Sequence, residues 1–276
     1  MKRWPEESPI YQDIDWKELE PSSIELLKLE KDSHFSSEEI QNKILVADSL
    51  DPEDVLRFMA HFNCEQIIQK RSSCFVHDIQ KLQSLKNSSD LYFASGGSVF
   101  LQKIENSTEI PFKKSEDKNA LMTSITEFTE KFCSGTVQMS VRAIAEELFM
   151  NATLDAPREA VKKNIKIDTL PPNLMRIYKG PDRLLISCED PYGALPLEKT
   201  IQRMDQVYTV GAGTAMNLKA GEGAGIGCVI MFEHSEAMIF GVQPMKKTLV
   251  SCLIPLGMSL KQREQLKKSI YLIKGT

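Results

Sequence analysis

Glu146-Glu147-Leu148-Phe149-Met150-Asn151-Ala152 is the stretch on which the reading of this chain turns. Glu147 and Asn151 stand four residues apart. That spacing puts two side chains on one face of a helix, with their Cβ atoms about 5–6 Å apart. The surrounding residues 137–154 carry Val141, Ile144, Ala145, Leu148, Phe149 and Ala152 along one side, the stripe of a helix packed on a core. An E-x-x-x-N pair on a helix is most often a solvated face. Here its apolar neighbours argue for a face looking into a cleft. In a cleft, a carboxylate can orient an attacking water or hydroxyl. An amide oxygen can ligate Mg2+, which prefers oxygen donors and is commonly shared with substrate phosphates.

Working toward the C-terminus, Leu174–Tyr178 and Arg183–Cys188 read as two strands joined by the turn Lys179-Gly180-Pro181-Asp182. Asp190 follows the second strand and precedes Pro191-Tyr192-Gly193. A carboxylate there can accept a hydrogen bond from an exocyclic amine such as that of adenine, or simply stabilise its own turn. A helix-like stretch near 197–206 leads to Gly221-Glu222-Gly223-Ala224-Gly225-Ile226-Gly227, which runs into an apolar segment, Cys228–His234, read as helix. Alternating glycines let backbone approach a ligand, and a helix start offers unpaired N–H groups to phosphate. No Gly-Lys-Ser/Thr follows, and the spacing is not G-x-G-x-x-G, so neither a Walker A loop nor a dinucleotide fingerprint is present. Strands are expected at about 236–242 and 247–254, and a basic helix over 259–273.

Taken in order, the E-x-x-x-N helix, the strand-end Asp190 turn, the alternating-glycine loop with its helix and the closing strands resemble the Bergerat-fold (GHKL) ATPases over residues 115–256. The similarity is greatest to the bacterial signalling branch of histidine-kinase catalytic domains and anti-sigma-factor kinases. The resemblance implies an α+β fold: a C-terminal Bergerat α/β sandwich, its mixed sheet carrying helices on one face, after a small α/β N-terminal domain. It implies ATP and Mg2+ as cofactors, Glu147 as general base and Asn151 as the metal-holding residue. Asp190 would take the adenine amine, with Gly193 giving the base room and Thr248 supporting it through water. Gly221, Gly223, Gly225 and Gly227 would wrap the phosphates, and residues 206–220, with Gly211 and Gly213, would form a lid. The implied function is that of an ATP-binding signal-transduction protein that phosphorylates or regulates a separate protein partner, with a homodimer as a further assembly. The alternative is a nucleotide-gated or degenerate, non-catalytic scaffold. Two departures stand out. The Asp190–Gly193 turn is one residue longer than the family's D-x-G. Asp155 stands where signalling members carry a basic residue, and it would repel phosphate unless it faces away.

The N-terminal third is more polar and broken. The capping-box signature Ser22-Ser23-Ile24-Glu25 before Leu26, Leu27 and Leu29 predicts a short helix, and Ser36-Ser37-Glu38-Glu39 repeats the signal. Residues 43–48 read as a buried strand, Asp51-Pro52-Glu53-Asp54 as a helix start, 66–69 as a strand, 74–86 as a helix and 90–101 as a hairpin. Asn106–Pro111, polar and proline-ended, is the expected boundary between a regulatory domain at 1–112, possibly receiver-like in element order, and the ATP-binding domain at 113–276. Phe75-Val76-His77-Asp78-Ile79 resembles a phosphoacceptor box, although a helix-surface histidine is the plainer reading.

Composition bounds the rest. The chain has 276 residues, 42% of them apolar and 26% charged, a globular balance. Its net charge of −4 does not suit a nucleic-acid binder. Residues 1–112 carry 12 basic and 20 acidic side chains, whereas 113–276 carry 22 and 18, a modest excess that suits a polyanionic small molecule. No apolar run approaches the ~18 residues of a membrane span, and Trp4-Pro5-Glu6-Glu7 ends any signal-peptide start. A cytoplasmic protein is expected. The six cysteines lack C-x-x-C spacing and read as reduced, buried thiols.

Overall fold

The computed structural model describes residues 26–29, 43–47, 50–62, 64–69, 74–167, 169–211 and 225–276. The strands are β1 Leu26–Leu29, β2 Ile44–Ala47, β3 Gln66–Gln69, β4 Asn106–Phe112, β5 Asn173–Lys179, β6 Arg183–Asp190, β7 Ala237–Gln243, β8 Lys247–Pro255 and β9 Ser269–Lys274. The helices are α1 Pro52–Phe62, α2 Phe75–Asn87, α3 Asp90–Ala94, α4 Lys118–Thr129, α5 Gly135–Met150, α6 Ala156–Lys162, α7 Leu197–Val210, α8 Ile226–His234 and α9 Leu260–Glu264. All nine strands join one mixed sheet in the order β1-β2-β3-β9-β7-β8-β6-β5-β4. β1, β2 and β3 are parallel, β9 runs antiparallel to β3 and parallel to β7, and the remaining pairs are antiparallel. The fold is an α+β sandwich.

Side chains alternate across the sheet with the period of two that a pleat imposes. Leu184, Ile186 and Cys188 of β6, Met238 and Phe240 of β7, and Cys252 and Ile254 of β8 enter one core with α1, α4, α5, α7 and α8. Leu185, Ile239, Leu249, Leu253 and Tyr271 enter the other, with α2, α3 and the short 3-10 turn Ser98–Phe100. The C-terminal helices α4, α5, α7 and α8 do share one face, as expected. The opposite face is covered by helices from the N-terminal third.

Four local expectations are corrected. Residues 26–29, expected in a helix, form β1, because a short apolar run fits either element and here pairs in parallel with β2. Residues 90–101 form α3 and a 3-10 turn, not a hairpin. Tyr92 uses its ring to pack on the sheet and its hydroxyl to reach Leu249 O at 3.1 Å and Ser251 Oγ at 2.9 Å. The boundary segment is the edge strand β4, paired antiparallel along β5 from Asn106↔Lys179 to Phe112↔Asn173. The 259–273 segment is α9 followed by β9, a strand buried between β3 and β7. The repeated capping signal at 36–39 lies outside the described residues.

Candidate functional site

α5 does not end at Met150. Residues Asn151–Asp155 continue it as a π-helical turn, in which the N–H of Ala156 reaches back to Asn151 O. Pro157, near the start of α6, explains the widening. A proline has no N–H for the carbonyl four residues back, and its ring crowds that carbonyl. Single π turns inside helices recur at functional sites. A wider turn rotates less per residue, which offsets the slow drift of an i, i+4 ladder. Glu147, Asn151 and Asp155, from successive turns, therefore all line one cavity.

The cavity encloses about 860 Å3 between α5, α6, α7, the start of α8 and the sheet face carrying β6 and β8. That size lies within the roughly 300–1,000 Å3 of cofactor sites. Its sheet wall holds Cys188, Asp190, Phe240, Thr248 and Val250. Asp190 and Thr248 are direct cross-strand partners, so the register itself brings them together. The Asp190 carboxylate accepts the Tyr192 N–H at 3.0 Å. Burial pushes its carboxyl up to about 6, against the opposing pull of the Tyr192 and Gly193 N–H groups and of Thr248. The Thr248 hydroxyl lies close enough to help hold that charge but has no partner at hydrogen-bond geometry, although Thr248 is only 2% exposed. A buried hydroxyl in a cavity wall keeps hydrogen-bonding capacity that a ligand or water can use.

On the helix side, burial and the neighbouring Glu146 raise the Glu147 carboxyl, with Lys118 opposing. Burial also raises Asp155, with Arg158 and Arg203 opposing. Gly227 sits in the first turn of α8 directly against Glu147, whose carboxylate would collide with any β-carbon placed there. Gly225 precedes α8 at φ +73°, and a β-carbon there would stand 2.9 Å from Arg203 Cβ. Both glycines thus line the cavity and let α8 pack closely on α5 and α7.

Among the residues singled out from sequence, Glu147, Asn151, Asp190, Gly225, Gly227 and Thr248 all border this cavity. Gly193 does not. It has φ +58°, and a β-carbon on it would strike Gln243 O and stand 2.8 Å from the backbone N of Met245 and Lys246, so it serves the β7–β8 turn. Leu195 and Pro196 take the wall position instead. Gly221, Gly223 and Gly213, with most of the expected lid, lie outside the described residues; residues 206–210 belong to α7, which ends at Gly211. His77 is on α2, on the other side of the sheet, and its adjacent acid, Asp78, is bound to Arg183 Nη1 at 2.8 and 3.0 Å. Sequence reading passed over Thr200, Arg203, Arg158 and Lys162, which also line the cavity. The i, i+3 pair Thr200/Arg203 on an amphipathic helix was the available signal. Among the described residues all six cysteines are free thiols, no helix is long and apolar enough to cross a membrane, and no cluster of three or more His, Cys, Asp and Glu side chains could hold a metal.

A helix-borne amide and carboxylate, a buried strand-end acid and a buried hydroxyl thus surround one cofactor-sized space. Neither a family model nor a curated protein matches the chain. Among the solved structures that match is the crystal structure of the SiaB-SiaC complex from Pseudomonas aeruginosa. The likeness covers 63% of this chain and 99% of that one, at 11% identity and a TM-score of 0.37. A likeness of that degree carries no argument about function.

Proposed function

We propose that the chain binds ATP with Mg2+ in this cavity and acts as a Bergerat-type, histidine-kinase-like signalling protein on a separate protein partner. The observation that carries the reading is the convergence of Glu147, Asn151, Asp190, Thr248, Gly225 and Gly227, drawn from two helices, two strands and a loop, on one cavity. In this reading Asp190 and Thr248 hold the base, and the start of α8 faces the phosphates. Asn151 would hold Mg2+, which neutralises charge on the phosphates when bound. Glu147, its carboxyl raised by burial, takes the proton of an attacking hydroxyl in an in-line transfer. Residues 1–112 are the regulatory part. Their route to the site is α1, which packs along α7, with Arg57 within electrostatic reach of Asp205.

A second reading, a nucleotide-gated switch without phosphoryl transfer, is favoured by Gly193, which faces the β7–β8 turn and leaves no glycine on the cavity wall behind Asp190. Thermal unfolding with ATP and Mg2+ tests nucleotide binding. At a ligand concentration of about 100 Kd the protein gains about 2.7 kcal/mol, and Asn151→Ala loses most of that gain. A wild-type chain whose unfolding does not move at millimolar ATP leaves the scaffold reading standing. Incubation with γ-labelled ATP and candidate partners then separates kinase from switch.

A further inference from the structure

Resting on the nucleotide reading, we propose that Asp155 supplies a further oxygen ligand for the nucleotide-borne cation, so that the cavity admits a triphosphate only together with its metal. Asp155 does not face away. It borders the cavity with Glu147 and Asn151 on successive turns of one continuous helix, and the π turn keeps it there. Its electrostatic neighbours come from every wall at this end: Glu147 on α5, Cys228 on α8, Arg203 on α7, and Arg158, Glu159 and Lys162 on α6.

The fixed charge of the lining gives the reason. Among the described residues of the lining, four acids, Glu147, Asp155, Glu159 and Asp190, face three bases, Arg158, Lys162 and Arg203. Two of the bases have acid partners in the lining: Lys162 Nζ is 2.7 Å from Glu159, and Arg158 Nη1 is 3.8 Å from Asp155. A bare triphosphate would meet, among the described residues, a wall with no net positive charge. A divalent cation reverses that balance, since the amide of Asn151 and the carboxylates on either side of it are all hard oxygen donors. A second observation, independent of the charges, is the buried Thr248 hydroxyl of the same cavity, which has no partner at hydrogen-bond geometry. Asp155 therefore sets the metal requirement of binding, separately from any chemistry performed by Glu147.

The test measures ATP binding by calorimetry and thermal shift on the full chain, with Mg2+ or with EDTA, for wild type, Asp155→Asn and Asp155→Lys. The wild type is expected to bind at least about a hundredfold more tightly with Mg2+ than in EDTA. Asp155→Asn removes one charge near the phosphates and is expected to cut the Mg2+/EDTA affinity ratio by about tenfold. Asp155→Lys is expected to bind ATP in EDTA. Asp155 is partly exposed and Asn is its isostere, so the unliganded melting temperature checks folding, and the Asn variant preserves the test if the Lys variant does not fold. Unchanged affinity ratios in both variants, or wild-type binding that ignores EDTA, overturn the proposal and leave the nucleotide reading intact. Wild type that binds no ATP in either condition overturns both.

Discussion

The two faces of the sheet hold their central buried acids, Asp78 and Asp190, in different ways. On the face covered by α2 and α3, Arg183, Asp78 and Glu236 are each no more than 1% exposed, yet they hold one another. Arg183 donates twice to Asp78 and lies 3.5 Å from Glu236, while the Tyr271 hydroxyl reaches Asp78 at 3.4 Å. The other face pairs a buried charge as well: Lys268 donates to Glu233 O and Ser235 O, both at 2.7 Å, at the C-terminal end of α8. On the face covered by α5, α7 and α8, Asp190 is raised by burial and Thr248 lacks a partner. Leaving a buried polar group unpaired costs stability, whereas pairing a buried charge largely recovers the loss. On the first face the central buried acid, Asp78, finds its partners within the fold. On the second face the central buried acid, Asp190, lines a cavity beside Thr248.

Breaking the closed face should have the largest effect. Arg183→Met leaves Asp78 and Glu236 buried without their shared cation and should cost about 3–5 kcal/mol in urea unfolding. A loss below 1 kcal/mol would mean that the two faces do not differ. On the open face, pH sharpens the contrast. The Asp190 carboxyl titrates at about 6 in the fold and near 4 when unfolded. Its raised value means that the folded chain holds the proton more tightly. The resulting stability is fully present below about pH 4 and is lost as pH rises through about 6, a difference of about 3 kcal/mol. Under the proposed function nucleotide affinity should run the other way, weakening as acid neutralises the carboxylate proposed to receive the base. Asp190→Asn should flatten both profiles, and parallel trends in the wild type would refute the assignment. Gly193→Ala, at positive φ and against the β7–β8 backbone, should destabilise by about 1–3 kcal/mol. Gly227→Ala should be mildest. Its β-carbon meets the movable end of Glu147, so unliganded stability should change by no more than about 1 kcal/mol. Any phosphoryl transfer should nonetheless drop at least about tenfold, because the base is displaced.

The central elements were legible because their residues carry a clear period. β6, β7 and β8 could be read from aliphatic runs between turn residues, and α5 from its stripe of Val141, Ile144, Leu148 and Phe149. The site was legible in part. Glu147 to Asn151 is a local spacing, and Asp190 is marked by its turn, but the pairing of Asp190 with Thr248 depends on a strand register that no local pattern states. The π turn was not visible, since it results from Pro157 acting backward on a helix that otherwise continues. β9 was misread because Leu266, Ile270 and Ile273 keep helical spacing. In a strand buried on both faces, Ile270 and Leu272 serve one core and Tyr271 and Ile273 the other, and such a run has no alternation to betray it. Gly193 resembled a ligand-facing glycine, and only the approach of the β7–β8 turn reveals its purpose.

The place of β9 bears on how the protein is made. It is last among the strands in chain order, yet it lies between β3 and β7. A ribosome releases β1, β2 and β3 early, and among the described strands only β9 pairs their edge with the rest of the sheet. Domains usually fold from the N-terminus as they emerge. Here the earliest strands wait for the latest one, an interval during which a chaperone would find an open parallel edge to hold.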